Sequence, residues 1–154
     1  MTRSREKQAP TCREAERQAV LAAAQSMHAR GLVAGTSGNV SMRLKDPSGR
    51  LLVAITPSQR PYETLRPGDI VVVDGQGDLV EGELTPSSEA LLHLAIYRAR
   101  PDAGAVMHTH SLYASVLAVA GLGLPPVLDE LVAVVGGAVE VAEYGFPGSE
   151  ELAE

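Results

Sequence analysis

Two histidines, His108 and His110, stand two residues apart in the segment AVMHTH, which we predict to be a strand. Alternate side chains of a strand point to the same face, so both imidazoles are expected on one side of the sheet. Imidazole suits zinc and similar divalent ions, but a metal site normally needs a third protein ligand and, for catalysis, an open position. The spacing therefore predicts either part of a metal site or two ordinary polar residues at a strand end.

Glu89 is the second residue whose position suggests chemistry. It follows Thr85, Pro86, Ser87 and Ser88 at a predicted helix start, where free backbone amides and the helix dipole favour an anion. A general acid/base could be held there. Hydroxyl residues followed by glutamate are also typical of a helix N-cap, and the local sequence alone favours capping.

Two segments of small residues could bind a phosphate group. These are GTSGNVS at residues 35–41 and PSS at residues 86–88, which offer backbone N–H groups and hydroxyls. Neither has the spacing of a Walker or dinucleotide-binding motif. The glycine-rich segment is equally expected as a plain turn at the entry to a hairpin.

A scaffold of alternating helices and strands must position these residues. The first helix is predicted from Thr11 to Arg30, with Thr11 and Glu14 as a capping box and Gly31 as its end. Further helices are predicted from Pro86 to Pro101, from Leu112 to Ala120, and at GSEELAE. His28 and His93 fall within helices and are interpreted as surface or core residues rather than ligands. The predicted strands are residues 40–45, LLVAI, DIVVVD, LVEGE, AVMHTH, LVAVV and VEVAEY, which together indicate a layered α/β domain with a mixed sheet.

Composition limits the classes of protein to consider. The chain has 154 residues, 45% of them hydrophobic, and a net charge of −6 without a basic stripe, so one domain is expected and nucleic acid is not an expected partner. No apolar run approaches the roughly 20 residues of a membrane span. A single cysteine, Cys12, and an N-terminus without an apolar signal segment predict a cytoplasmic protein.

Four segments in order resemble the class II aldolase and adducin family along nearly the whole chain. They are GTSGNVS, ITPSQRPYETL, LTPSSEALLHLAIYRARPDAGAVMHTHS and VVGGAVEVAEYGFPGSEELAE. The resemblance implies an α/β/α domain over residues 1–154, with a central mixed, largely antiparallel sheet. It also implies a homotetramer with active sites between subunits.

The resemblance assigns roles to the residues already singled out. His108 and His110 match the family's metal-binding histidines, and Glu89 matches the glutamate beside the metal that shuttles the substrate proton. The implied cofactor is zinc or another divalent ion, and the implied substrate is a phosphorylated sugar. The implied reaction cleaves a phosphorylated ketose through an enediolate into dihydroxyacetone phosphate and an aldehyde. Residues matching the phosphate site are Gly38, Asn39, Ser58, Gln59, Ser87 and Ser88.

Three departures from the family pattern bear on function. Family members continue for some tens of residues and carry a third metal-binding histidine there, whereas this sequence stops at Glu154. The frequent T-P-x-G loop is TPSQ here, so Gln59 replaces a glycine. The region that carries a tyrosine in sugar-phosphate aldolases is PVLDEL, and Asp129 and Glu130 make a different substrate plausible.

Two alternatives within the family stay open. A sugar-phosphate dehydratase or 4-epimerase would use nearly the same metal and phosphate groups. The adducin branch uses the fold as an interaction module without metal chemistry, and it predicts lost ligands.

Overall fold

A five-stranded sheet forms the centre of the protein in the computed structural model, which describes residues 13–153. The strand order is β4-β3-β2-β1-β5, and every described pairing is antiparallel. The strands are β1 (Asn39–Leu44), β2 (Leu52–Ile55), β3 (Val71–Asp74), β4 (Leu79–Glu81) and β5 (Ala105–His108). The helices are α1 (Glu14–Ala29), α2 (Ala90–Ala99), α3 (Leu112–Val119) and α4 (Glu150–Ala153).

Helices cover both faces of the sheet, because the central strands are apolar on both sides. In β2, Leu52 and Ala54 pack in the cluster that contains α1, whereas Val53 and Ile55 pack in the cluster that contains α2. Strand side chains alternate between faces, so one short apolar run contributes to both cores. The predicted three-layer α/β fold is confirmed.

Most of the predicted elements are present, but one boundary and two strands need correction. The helix predicted from Pro86 begins at Ala90, because Pro86 instead forms a bridge with Pro57. The segment LVAVV is a π-helical turn, Leu131–Val135, and VEVAEY forms no strand beyond an isolated bridge at Val139. The predicted cap Thr11 lies outside the described residues.

The packing of the chain changes sharply along its length. Every buried hydrophobic side chain among residues 13–153 lies between Val20 and Tyr97, whereas all but two of the large exposed hydrophobic side chains lie at or after Met107. Strand β5 is at the edge of the sheet. The segments predicted as strands after β5 do not pair with this edge strand. Their backbone groups form local turns instead.

Across the described part of the chain, no helix combines the length and apolar character needed to cross a membrane.

Candidate active site

The two histidines of the H-x-H motif lie side by side at the end of β5. His108 is the last residue of the strand, and the ring of His110 lies 4.8 Å from it, centroid to centroid, with 30° between the ring planes. The backbone N–H of His110 donates to the carbonyl of Leu32, which fixes the chain just beyond the strand. Burial and the neighbouring His110 lower the pKa of His108, while Glu89 raises it. The net lowering favours the neutral imidazole, which is the form that binds metals.

Glu89 is the N-cap residue of α2, but its carboxylate makes no capping hydrogen bond. The hydroxyl of Ser87 accepts from the backbone N–H of Glu89 at 3.2 Å. The glutamate is 8% exposed, and its Oε2 atom is buried without a hydrogen-bond partner. The Glu89 carboxylate therefore does not cap α2 and remains available for other interactions.

One cavity of about 240 Å³ brings the predicted phosphate-binding segments together with Glu89 and His110. The turn before β1, the loop after β2 and the start of α2 are distant in sequence but adjacent here. The backbone N–H of Ser58 donates to the carbonyl of Thr85, and that of Ser87 donates to the carbonyl of Thr56, which joins two of these segments. The predicted residues that line the cavity are Gly38, Asn39, Ser58, Gln59, Ser87 and Ser88.

Gly38 has a structural reason to be glycine. Its φ is +71°, and a Cβ there would lie 2.5 Å from Val33 Cγ1 and 2.7 Å from the carbonyl oxygen of His108. The turn before β1 can therefore approach β5 only because residue 38 has no side chain. This close approach places the cavity wall directly against the histidine-bearing strand.

Sequence reasoning missed the residue that anchors this turn from the other side. The hydroxyl of Tyr62, a buried side chain, donates to the carbonyls of Gly38 at 2.6 Å and Ser37 at 3.1 Å. Burial raises the pKa of Tyr62 to about 12, so the phenol remains a donor at neutral pH. Tyr62 lies in the segment PYE of a proline-rich loop, and no sequence pattern there predicts this contact.

A second group missed from the sequence lies behind the cavity, between α2 and β1. His93 is fully buried, and its Nδ1 is 2.6 Å from the hydroxyl of Ser41, which in turn is 2.8 Å from the hydroxyl of Tyr97. Burial, assisted by the charge of His108, lowers the pKa of His93 to about 4. The prediction that His93 is a core residue describes its burial but not the fact that its Nε2 has no partner.

The fit of this site to a divalent ion rests on its unpaired polar atoms. Among residues 13–153, the buried side-chain atoms without a partner are Arg17 Nε and four atoms of Asn39, Glu89, His93 and His108. Two adjacent imidazoles and a carboxylate are suitable donors for zinc. Within the same residues no three acidic, histidine or cysteine side chains are already arranged to hold an ion, so His108 and His110 form only part of a ligand set.

Comparison with known proteins agrees with this architecture. A family model described as the class II aldolase and adducin N-terminal domain matches residues 18–154. The chain therefore belongs to the class II aldolase and adducin family, as its sequence motifs predicted.

Individual relatives lie among the sugar-phosphate aldolases. The chain is 40% identical over 139 residues to the 5-deoxy-D-ribulose 1-phosphate aldolase of Bacillus thuringiensis serovar kurstaki, covering 90% of this chain and 63% of the relative. It is 41% identical over 124 residues to the L-fuculose phosphate aldolase of Escherichia coli strain K12, covering 80% and 55%. A solved structure of an L-fuculose 1-phosphate aldolase matches with a TM-score of 0.80 and 40% identity over 89% of this chain and 63% of that one. The chain thus spans less than two thirds of these relatives.

Proposed function

We propose that this chain is part of a metal-dependent aldolase that cleaves a phosphorylated ketose into dihydroxyacetone phosphate and an aldehyde. The observation that carries the proposal is the single cavity lined by two hydroxyl-rich segments, Glu89 and His110. The phosphate and carbonyl groups of one substrate could both bind in that space. The named activities of the relatives support the same reaction class.

The substrate phosphate would be held by neutral donors. Among residues 13–153, the cavity lining contains no lysine or arginine, but it includes the hydroxyls of Ser58, Ser87 and Ser88, the amide of Asn39 and the backbone beside Gly38. Backbone N–H groups and hydroxyls bind a phosphate without a cationic side chain when they converge near a helix N-terminus. The start of α2 supplies such a terminus.

Glu89 would move the substrate proton. Its buried Oε2 has no partner within the described residues 13–153, so the carboxylate can exchange a proton with a bound substrate without first breaking a side-chain hydrogen bond. In the cleavage direction, the hydroxyl that becomes the aldehyde loses its proton to water as the C–C bond breaks. Protonated Glu89 then gives its proton to the carbon of the enediolate and regains one from water. A divalent ion held by His108 and His110, with Glu89 beside it, would supply the Lewis acidity that stabilises the enediolate.

The test is product formation by the wild-type chain and two glutamate variants. Wild-type protein supplied with zinc should release dihydroxyacetone phosphate from L-fuculose 1-phosphate or 5-deoxyribulose 1-phosphate. Glu89→Gln should lower kcat by about 10²-fold or more, because it removes the group that gives the proton to carbon, while metal content by elemental analysis is retained. Glu63→Gln, a surface residue paired with His28 at 3.3 Å, should leave turnover unchanged. Full activity in Glu89→Gln would refute the assigned role.

Two rival functions give different results in the same assay. A dehydratase would release water, and an epimerase would return a sugar phosphate without any triose. A non-catalytic, adducin-like module is favoured by the lack of a preassembled three-ligand group among residues 13–153. That module would bind no zinc and form no product from any phosphorylated ketose.

A further inference from the structure

The interface between α2 and β1 contains a polar seam, formed by Glu89, His93 and Tyr97 on one side and by Asn39, Ser41 and Arg43 on the other. Residues four apart on a helix share a face at about 6 Å intervals, and residues two apart on a strand share a face at about 6.6 Å intervals. The side chains of the two rows are therefore similarly spaced and can face each other in pairs along the interface. Ser41 contacts both His93 and Tyr97, and the guanidinium of Arg43 lies 4.9 Å from the centre of the Tyr97 ring.

The hydrogen bonds within the polar seam determine which nitrogen of His93 carries its proton. The hydroxyl of Tyr97 is buried, and its hydrogen-bonded side-chain partner is the hydroxyl of Ser41. If Tyr97 donates to Ser41, then Ser41 can donate to His93 Nδ1, and both hydroxyl hydrogens are satisfied. The opposite direction would leave the Tyr97 hydrogen buried without this acceptor, which is costly. His93 is therefore expected to be protonated at Nε2.

A buried N–H donor needs an acceptor, and His93 Nε2 has none within the protein side chains described. Glu89 Oε2 is a buried acceptor that also lacks a partner, on the same face of α2 and one turn earlier. A carboxylate is the strongest acceptor among the unpaired atoms nearby. If His93 instead donated to Nδ1 of His108, the proton of His108 would have to lie on its Nε2. A metal could then not bind through that nitrogen.

We propose that His93 is a positioning residue for Glu89, donating from Nε2–H to Oε2 when the active site is occupied. Ser41 fixes the tautomer, and Tyr97 fixes Ser41. The bond holds one carboxylate oxygen against α2 and leaves Oε1 facing the cavity, where it exchanges the substrate proton. The catalytic value of this contact rests on the proposed function, but the contact itself does not.

The first experiment measures the contact without turnover. Nitrogen-15 spectra of the histidine-labelled full chain, recorded with zinc and inorganic phosphate added so that the active site is occupied, should show His93 in the Nε2–H tautomer at neutral pH. Glu89→Gln should shift the His93 Nε2–H resonance, because a charge-assisted hydrogen bond becomes a neutral one. The matched variant Glu63→Gln should shift His28, its 3.3 Å partner, and leave His93 unchanged. A His93 protonated at Nδ1, or one unaffected by Glu89→Gln, would overturn the proposal.

Two variants test the link between the tautomer and the seam. Ser41→Ala should produce a mixture of His93 tautomers, because the hydroxyl that donates to Nδ1 is gone. Tyr97→Phe should shift part of the population to the Nδ1–H tautomer, because the hydroxyl that directs the Ser41 hydrogen toward His93 is gone. Identical tautomer populations in Ser41→Ala and the wild type would contradict the assigned hydrogen-bond direction.

The second experiment measures turnover. His93→Phe should lower kcat by about 10- to 100-fold, as loss of an outer-shell hydrogen bond does, with KM nearly unchanged. His93→Gln should recover part of kcat, because its side-chain amide can place an N–H near the position of Nε2. Equal losses in both variants would indicate a packing role and refute positioning. Absence of turnover in the wild type would refute the proposed function, while the spectra would still decide the contact.

Discussion

Gln59 occupies a backbone conformation that disfavours its side chain. Its φ is 55°, and among residues 13–153 it is the one non-glycine residue with a positive φ. The left-handed region costs an ordinary residue about 1–2 kcal/mol. Because Gln59 lines the cavity, this strain lies in the wall proposed to bind phosphate. The family's frequent glycine at this position would avoid it.

We predict that Gln59→Gly raises the free energy of unfolding by up to about 1 kcal/mol, because it removes the left-handed strain. Gln76→Gly is the matched control, since Gln76 lies in the turn between β3 and β4 without a positive φ. That change should lower stability by about 0.5–1 kcal/mol. Urea unfolding of both variants provides the measurement, and equal effects would exclude backbone strain at Gln59.

Individual site residues were predictable only where a motif carried them. Glu89, His108 and parts of the glycine and serine segments belong to recognisable patterns. Glu89 lines one cavity with His110 and with Gly38, Asn39, Ser87 and Ser88, whereas His108 does not. Tyr62, Ser41 and His93 were missed because their partners are remote in sequence. Ser41 and His93, for example, are 52 positions apart. No local pattern encodes such a contact.

The turn before β1 depends on the absence of a side chain at Gly38. We predict that Gly38→Ala lowers the free energy of unfolding by clearly more than Gly35→Ala. Both glycines have positive φ, but only at Gly38 would a Cβ collide with Val33 and the His108 backbone. Gly35→Ala should therefore cost only the conformational strain of about 1–2 kcal/mol. Thermal and urea unfolding would test this difference, and equal losses would contradict a close approach between the turn and β5.

The α2–β1 interface should make folding sensitive to acid. In the unfolded chain, His93 binds a proton with the ordinary pKa of 6.5. In the folded chain, burial lowers the pKa of His93 to about 4. The free energy of unfolding therefore falls as the pH falls from 6.5 toward 4, and the contribution is fully present above that window. This lowering of the His93 pKa corresponds to about 3 kcal/mol in the free energy of unfolding.

The acid sensitivity can be assigned to His93 by comparison with His93→Gln. The variant lacks the titrating ring, so its stability should decline less than that of the wild type between pH 7 and pH 4.5. Urea unfolding at several pH values gives both curves. Parallel curves would show that other groups, such as His108, account for the acid sensitivity.

The predicted strands after β5 show where element prediction fails. The alternation in VEVAEY and the apolar run LVAVV are typical of strands, yet neither forms one. A strand is stable only when a neighbour accepts its backbone hydrogen bonds, and sequence alone does not show whether that neighbour is present. The earlier strands were predicted correctly, because turn residues join most of them to an adjacent partner.

At the scale of the whole molecule, the large exposed hydrophobic side chains are concentrated after β5. Val119 is 92% exposed and Tyr113 is 81% exposed, both on α3. Apolar surface of this extent favours association. The homotetramer implied by the family resemblance remains a proposal, and this surface supports it.

We predict that the 154-residue chain self-associates through the surface around α3. Val119→Glu should shift the chain toward monomers, because it places a charge in the apolar contact. Val80→Glu, on edge strand β4, changes a valine that is 43% exposed and lies away from this surface, and it should not. Sedimentation velocity measures the distribution, and a monomeric wild type would contradict the prediction.

The matched spacing of the polar seam also restricts how this protein can change during evolution. One residue inserted in α2 between Glu89 and His93 would rotate everything after it by about 100° relative to Glu89. His93 would then leave Ser41 even though no residue of the site had been substituted. Point mutations at exposed positions of α2 should be tolerated far more often than single-residue insertions or deletions, so relatives are expected to differ in the composition of this helix but to keep its register.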